Sequence, residues 1–88
     1  MRLKQAFETM AFDDRILAIP VGEKNGSFPG VIKLNETSAR IFELLKEETT
    51  EEAIVETMEK EYEAPREVIA ADVRKCIRAF EEKGLLNP

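Results

Sequence analysis

The chain has 88 residues, the size of one small domain, and the expectation is a single domain over 1–88. Its 18 acidic and 13 basic residues leave a net charge of -5, which argues against a generic binder of polyanions. With no His, no Trp and one Cys, the composition excludes histidine general-base catalysis, histidine metal ligation, an internal disulfide and any multi-cysteine zinc or iron–sulfur site.

An acid at Glu8 comes before any apolar stretch of the ~7–15 residues a secretory signal needs. The longest apolar run, residues 16–21, is far short of the ~20 residues of a membrane span. The expectation is a cytoplasmic chain with no membrane partner.

The front third alternates at the period of strands. Glu8, Met10 and Phe12 share one face, and Phe7, Thr9 and Ala11 the other. Asp13-Asp14 is a turn signal, and residues 15–21 form an apolar, β-branched run long enough for a second strand. Asn25-Gly26 is a hairpin signal because both residues tolerate positive φ. A third strand follows over 28–34, with Ile32 and Leu34 on one face. Pro29 donates no ladder hydrogen bond, so it suits a strand start or a sheet edge. The reading is a three-stranded antiparallel meander whose third strand has a free edge.

After Leu34 the period becomes helical. Asn35 is a good N-cap for a first helix whose apolar face is Ala39, Ile41, Phe42, Leu44 and Leu45. Thr50 caps a second, with Ala53, Ile54, Thr57, Met58 and Tyr62 as its inner stripe. Pro65 suits the first position of a third helix, which runs to about Lys83 and ends on Gly84, with Leu85-Leu86 folding back onto the core. On this helix Ile69, Val73, Cys76, Ile77 and Phe80 form the core stripe, and Arg74, Arg78 and Glu81 the wet side. Between them lies a flank of Val68, Asp72, Lys75 and Ala79, too apolar to be fully solvated and too charged to be buried. The fold class is α+β: a three-stranded antiparallel sheet followed by three helices, a winged helix-turn-helix-like arrangement.

Cys76 in an apolar stripe reads as a small buried hydrophobe rather than a nucleophile, since no His is present to activate it. The glutamates at 47, 48, 51, 52, 59, 61 and 63 read as a solvated surface. Neither Ser27 nor Ser38 sits in a carrier-protein motif. A winged helix also raises the alternative of a DNA-binding transcription regulator, but the second helix sets five glutamates against Lys60, a face that DNA repels. No catalytic residue, metal site or cofactor is expected. What remains is the free edge around Val31, Ile32 and Lys33 beside the flank of the third helix. Such an edge either is protected or accepts an extended peptide as another strand. The same edge leaves monomer and dimer both open, and an adaptor that binds only an enzyme is a third reading.

Taken in order, the segment Gly30-Val31-Ile32-Lys33-Leu34-Asn35-Glu36-Thr37-Ser38-Ala39 resembles the PqqD-like family. So do Phe42-Glu43-Leu44-Leu45, Thr50-Glu51-Glu52-Ala53-Ile54, Tyr62 before Pro65, Asp72-Val73, Phe80 and Gly84-Leu85-Leu86. The resemblance spans roughly residues 7–86, with Leu34-Asn35-Glu36-Thr37 its most specific piece. It implies a non-catalytic recognition domain that binds the leader of a ribosomally made precursor peptide. Such a domain presents the peptide to a modifying enzyme, often a radical S-adenosylmethionine enzyme. It implies that the leader adds to the third strand of the meander and packs on the third helix. By position, the contacts would be Val31, Ile32, Lys33 and Leu34 on the strand, and Val68, Asp72, Lys75 and Ala79 on the helix. Asn35, Thr37 and Gly84 look structural. Nothing in the residues points to pyrroloquinoline quinone as the product.

Overall fold

The computed structural model describes residues 1–21 and 31–87. The Asn25-Gly26 turn, Pro29 and the first residues of the predicted third strand lie outside the described residues. The strands are β1 (Arg2–Leu3), β2 (Phe7–Phe12), β3 (Arg15–Pro20), β4 (Ile32–Leu34) and β5 (Leu86–Asn87), and the helices α1 (Glu36–Leu44), α2 (Glu51–Glu61) and α3 (Arg66–Glu82). The meander is as expected: an antiparallel sheet in the order β2-β3-β4, followed by three helices.

Alternation sets which face of the sheet is covered. Phe7, Ala18, Ile32 and Leu34 are buried beneath the helices, and Ile16 packs against the same core. Asp13, at φ 55°, turns β2 into β3 in the left-handed region, which an Asp tolerates better than most residues.

α1 and α2 start where their caps predict. Asn35 and Ser38 form a reciprocal capping box on α1, and the Thr50 hydroxyl accepts from the Ala53 N–H at 3.1 Å. Pro65 sits one residue before its expected place. It is the N-cap of α3, in extended conformation, and its carbonyl accepts from Val68 and Ile69. The inner stripe of α2 also differs. Ile54, Val55 and Met58 are buried, whereas Ala53 and Tyr62 are exposed, so the buried face of α2 is turned toward Val55. On α3, Ile69, Val73, Ile77 and Phe80 are buried as expected, and Cys76 is only half-covered.

The end of α3 is a Schellman motif. The Gly84 N–H donates to the Glu81 carbonyl at 2.9 Å and the Leu85 N–H to that of Phe80 at 3.0 Å. Gly84 takes φ 74°, and Leu85 turns back into the core, 2% exposed. A Cβ at Gly84 would meet nothing within 4 Å, so Gly84→Ala tests the backbone alone. We expect a loss of about 1 kcal/mol in urea denaturation; an unchanged midpoint would mean that the motif does not hold φ there.

Sequence periodicity did not reveal a second, two-stranded sheet. β1 pairs antiparallel with β5, so the two ends of the chain meet. The Leu3 N–H also donates to the Leu45 carbonyl, and that of Lys4 to Leu85. Two-residue strands carry no alternation to read. On the surface, Arg40 grips Glu61 with two hydrogen bonds of 2.8 and 2.7 Å, and Arg66 holds Glu59 at 2.6 Å. The guanidinium holds the Glu61 carboxyl below its ordinary range, and the Glu61 carboxylate in turn raises the pKa of Arg40. These exposed pairs fix how the helices lie more than they stabilise them.

Candidate functional site

The hydrogen-bond parity of the sheet decides which backbone groups are free. The Val21 N–H donates to the Ala6 carbonyl at 3.1 Å, so the odd-numbered residues of β3 turn their polar groups toward β2. Ile16 and Ala18 therefore turn theirs toward β4, where they oppose Leu34 and Ile32. Along β4, Ile32 and Leu34 commit their N–H and C=O groups to β3. Val31 and Lys33 turn theirs to the other side, where among the described residues no strand pairs with them.

The four strand residues singled out in the sequence thus divide by role. Ile32 and Leu34 are 4% and 7% exposed, with side chains in the core. Val31 and Lys33 are exposed, with side chains on the sheet face away from the helices and backbone groups at the edge. Among the described residues of β4 and its start, a peptide strand laid along this edge would bond to Val31 and Lys33.

Beside the edge, the start of α1 and the side of α3 enclose a trough of about 350 Å³, lined by Asn35, Thr37, Asp72, Lys75, Cys76 and Ala79. It continues past Thr37 and Asp72 into a smaller, mainly apolar hollow of about 70 Å³, walled by Met58, Tyr62, Ala64, Val68, Ile69 and Val73. At the other end, Lys33, Leu34 and Asn35 border a third open depression with Asp14 and Arg15. The helix flank expected from the sequence is divided between two of these hollows. Asp72, Lys75 and Ala79 share the trough, and Val68, 49% exposed, lies at its apolar end.

Thr37, Tyr62 and Cys76 are among the residues of this surface that the sequence did not single out as contacts. Thr37 looked purely structural but lines both hollows, because α1 begins directly after β4 and its first turn must flank the edge. Tyr62, expected in the core stripe of α2, caps the helix in extended conformation and lines the same hollow as Val68. Cys76 was assigned wholly to the core and instead reaches the trough. Burial first, and then the charge of Asp72, raise its thiol pKa, which favours the neutral thiol over the thiolate.

Chemically the trough offers one carboxylate, one ammonium, a capped helix start and an apolar end. It suits an extended chain with alternating side chains better than a reaction. Among the described residues no group of three or more His, Cys, Asp or Glu is placed to hold a metal ion, and no helix is long and apolar enough to cross a membrane.

No curated protein matches the chain. A solved structure of TbiB1 in complex with the TbiA(β) leader peptide superposes with a TM-score of 0.72 at 28% identity, covering 99% of this chain and 95% of that one. The family model described as Coenzyme PQQ synthesis protein D (PqqD) matches residues 20–86, a span that takes in β4, the trough and all three helices. The chain belongs to the PqqD family.

Proposed function

We propose that this chain is a recognition domain, without catalytic chemistry of its own, that captures the leader of a ribosomally made precursor peptide as an added strand on β4. The observation that carries this reading is the pairing of an open Val31 and Lys33 backbone edge with the adjacent trough of Asp72, Lys75 and Ala79. Family membership and the TbiB1 complex with its leader peptide support it. Backbone bonds to the edge supply affinity, and every second side chain of the leader enters the trough and supplies selectivity. Val68 and Tyr62 offer an apolar anchor site, and Asp72 and Lys75 set register against charges on the leader.

The bound leader tethers the rest of the precursor near a modifying enzyme, in our reading a radical S-adenosylmethionine enzyme in the cytoplasm. A short tether raises the effective concentration of the modified segment to about the mM range.

The direct test is an amide NMR titration of the full chain with leader peptides, the TbiA(β) leader and the leader of a precursor encoded near this chain, with a DNA duplex as control. Shifts in Val31, Lys33 and the 68–79 face of α3, with none from DNA, are expected. Silence from the leaders with DNA shifts around Arg74 and Arg78 would replace this reading with a regulator. A charge variant gives a finer check. With a leader that is acidic near the trough, Lys75→Glu should weaken binding about tenfold at low salt and by less at about 0.3 M salt, measured by fluorescence anisotropy. Equal affinity at low salt would make Lys75 a bystander.

A further inference from the structure

Among the described residues the exposed large apolar side chains fall into two groups. Tyr62 and Val68 belong to the trough, whereas Met10 (42% exposed), Phe12 (47%), Val21 (37%) and Val31 (55%) lie elsewhere. Strand register places these four on one surface. Met10 opposes Leu17, which opposes Lys33; Phe12 opposes Arg15; Glu8 opposes Ile19. Since Phe7, Ala18 and Ile32 point into the core, this second set points away from it. Leu17 and Ile19 lie in the middle of the face, partly exposed and not packed against the core. The outer face of the sheet is thus a continuous apolar surface on a chain that is otherwise richly charged, and soluble monomers rarely leave such a patch open.

The charges around it have a pattern. Glu8 stands at the β2 corner, and Arg15 and Lys33 stand diagonally across, on β3 and β4. Among the described residues none of the three has an ion-pair partner. A surface with an acid at one corner, bases at the opposite corner and apolar residues between them is complementary to its own two-fold copy.

We propose that this face is a self-association surface, covered by a second copy of the chain with the two sheets stacked face to face. Each Glu8 then meets the basic corner of the other copy, and Met10, Leu17 and Phe12 interdigitate at the centre as in a β-sandwich, about 10 Å between sheets. Two strands of six residues and one of three, at about 4.8 Å spacing, bury only a few hundred Å² per copy, so the dimer is weak and forms at high concentration. Stacking covers side chains and leaves strand edges open, so both β4 edges and both troughs stay accessible in the dimer.

Sedimentation equilibrium of the full chain from about 10 μM to about 1 mM tests this. The apparent mass should rise from 10.0 kDa toward that of a dimer. Met10→Glu, on an exposed side chain and with folding checked by circular dichroism, should weaken association at least about tenfold by burying an unpaired charge. Glu8→Lys should also weaken it, and the combination of Glu8→Lys, Arg15→Glu and Lys33→Glu should restore it. A mass of 10.0 kDa throughout would overturn the proposal and leave the face to a different partner protein. A dimer indifferent to Met10→Glu would overturn it in favour of edge pairing or strand exchange. Leader binding is read separately in the NMR titration, so each reading can fail without the other.

Discussion

Lys33→Pro is expected to reduce leader affinity by about 50-fold or more while the domain stays folded. The Lys33 side chain is exposed and its backbone groups face the open edge, so the core and the β3–β4 ladder lose nothing directly. The ring removes the one N–H that Lys33 offers to an added strand and fills the space where that strand would lie. A lost backbone hydrogen bond is worth about 0.5–1.5 kcal/mol, and a leader carbonyl left without a donor costs about 1–3 kcal/mol more. Together these come to roughly two decades of affinity. The companion variant Ile32→Pro separates edge from ladder. Ile32 is 4% exposed and bonds inward to β3, so proline there should unfold the strand rather than block a ligand. Anisotropy titrations with circular dichroism on both variants make the comparison. A folded Lys33→Pro chain with wild-type affinity would eliminate strand addition.

The contrast between Lys33 and Ile32 also shows how far the sequence could be read. Alternation alone identified Ile32 and Leu34 as one face of the third strand, and the structure buries both. It could not say which residues turn their N–H groups outward, because that depends on pairing with β3. One hydrogen bond, from Val21 to Ala6, settles it. The helices were legible for a local reason. Asn35, Thr50 and Gly84 bond within a few residues of themselves, and the apolar stripes of α1 and α3 have strong periodicity. On α2 the expected Ile54 and Met58 are buried, but Val55 takes the place of Ala53, because both continue an apolar pattern and local periodicity does not choose between them.

At the site, Asp72, Lys75 and Ala79 could be found because one helix face holds them all. Thr37 and Tyr62 were harder to find, since they join the trough from α1 and from the end of α2. The clue for Thr37 was present in the order of elements: a helix that begins where an edge strand ends must place its first turn beside that edge. The β1–β5 pair had no such clue, because its two strands come from opposite ends of the chain and hold two residues each.

The largest effect on stability should come from Phe42→Ala. Phe42 is fully buried, and its ring meets Phe7 of β2 at 5.2 Å and Phe80 of α3 at 5.5 Å, both edge to face. One side chain of α1 thus joins the sheet to the last helix through the quadrupole-favoured geometry of aromatic pairs. Truncation removes both ring contacts and leaves a cavity that three elements would have to collapse to fill, at about 3–5 kcal/mol. A domain of this length has about 4–13 kcal/mol in total, so the variant should lose a large share of its stability and melt roughly 15–30 °C lower. Phe42→Leu keeps most of the volume and should cost clearly less. Thermal and urea denaturation followed by circular dichroism measure both. The consequence reaches the trough, whose walls are the start of α1 and the side of α3, held at their spacing by the Phe42–Phe80 contact. Where Phe42→Ala remains folded at low temperature, its leader affinity should fall although Phe42 touches no ligand. The Lys33→Pro variant should show the reverse, with lost affinity at nearly unchanged stability. A Phe42→Ala chain that loses less than about 1 kcal/mol would mean that the sheet and α3 are held together by other contacts, and that the trough does not depend on this ring.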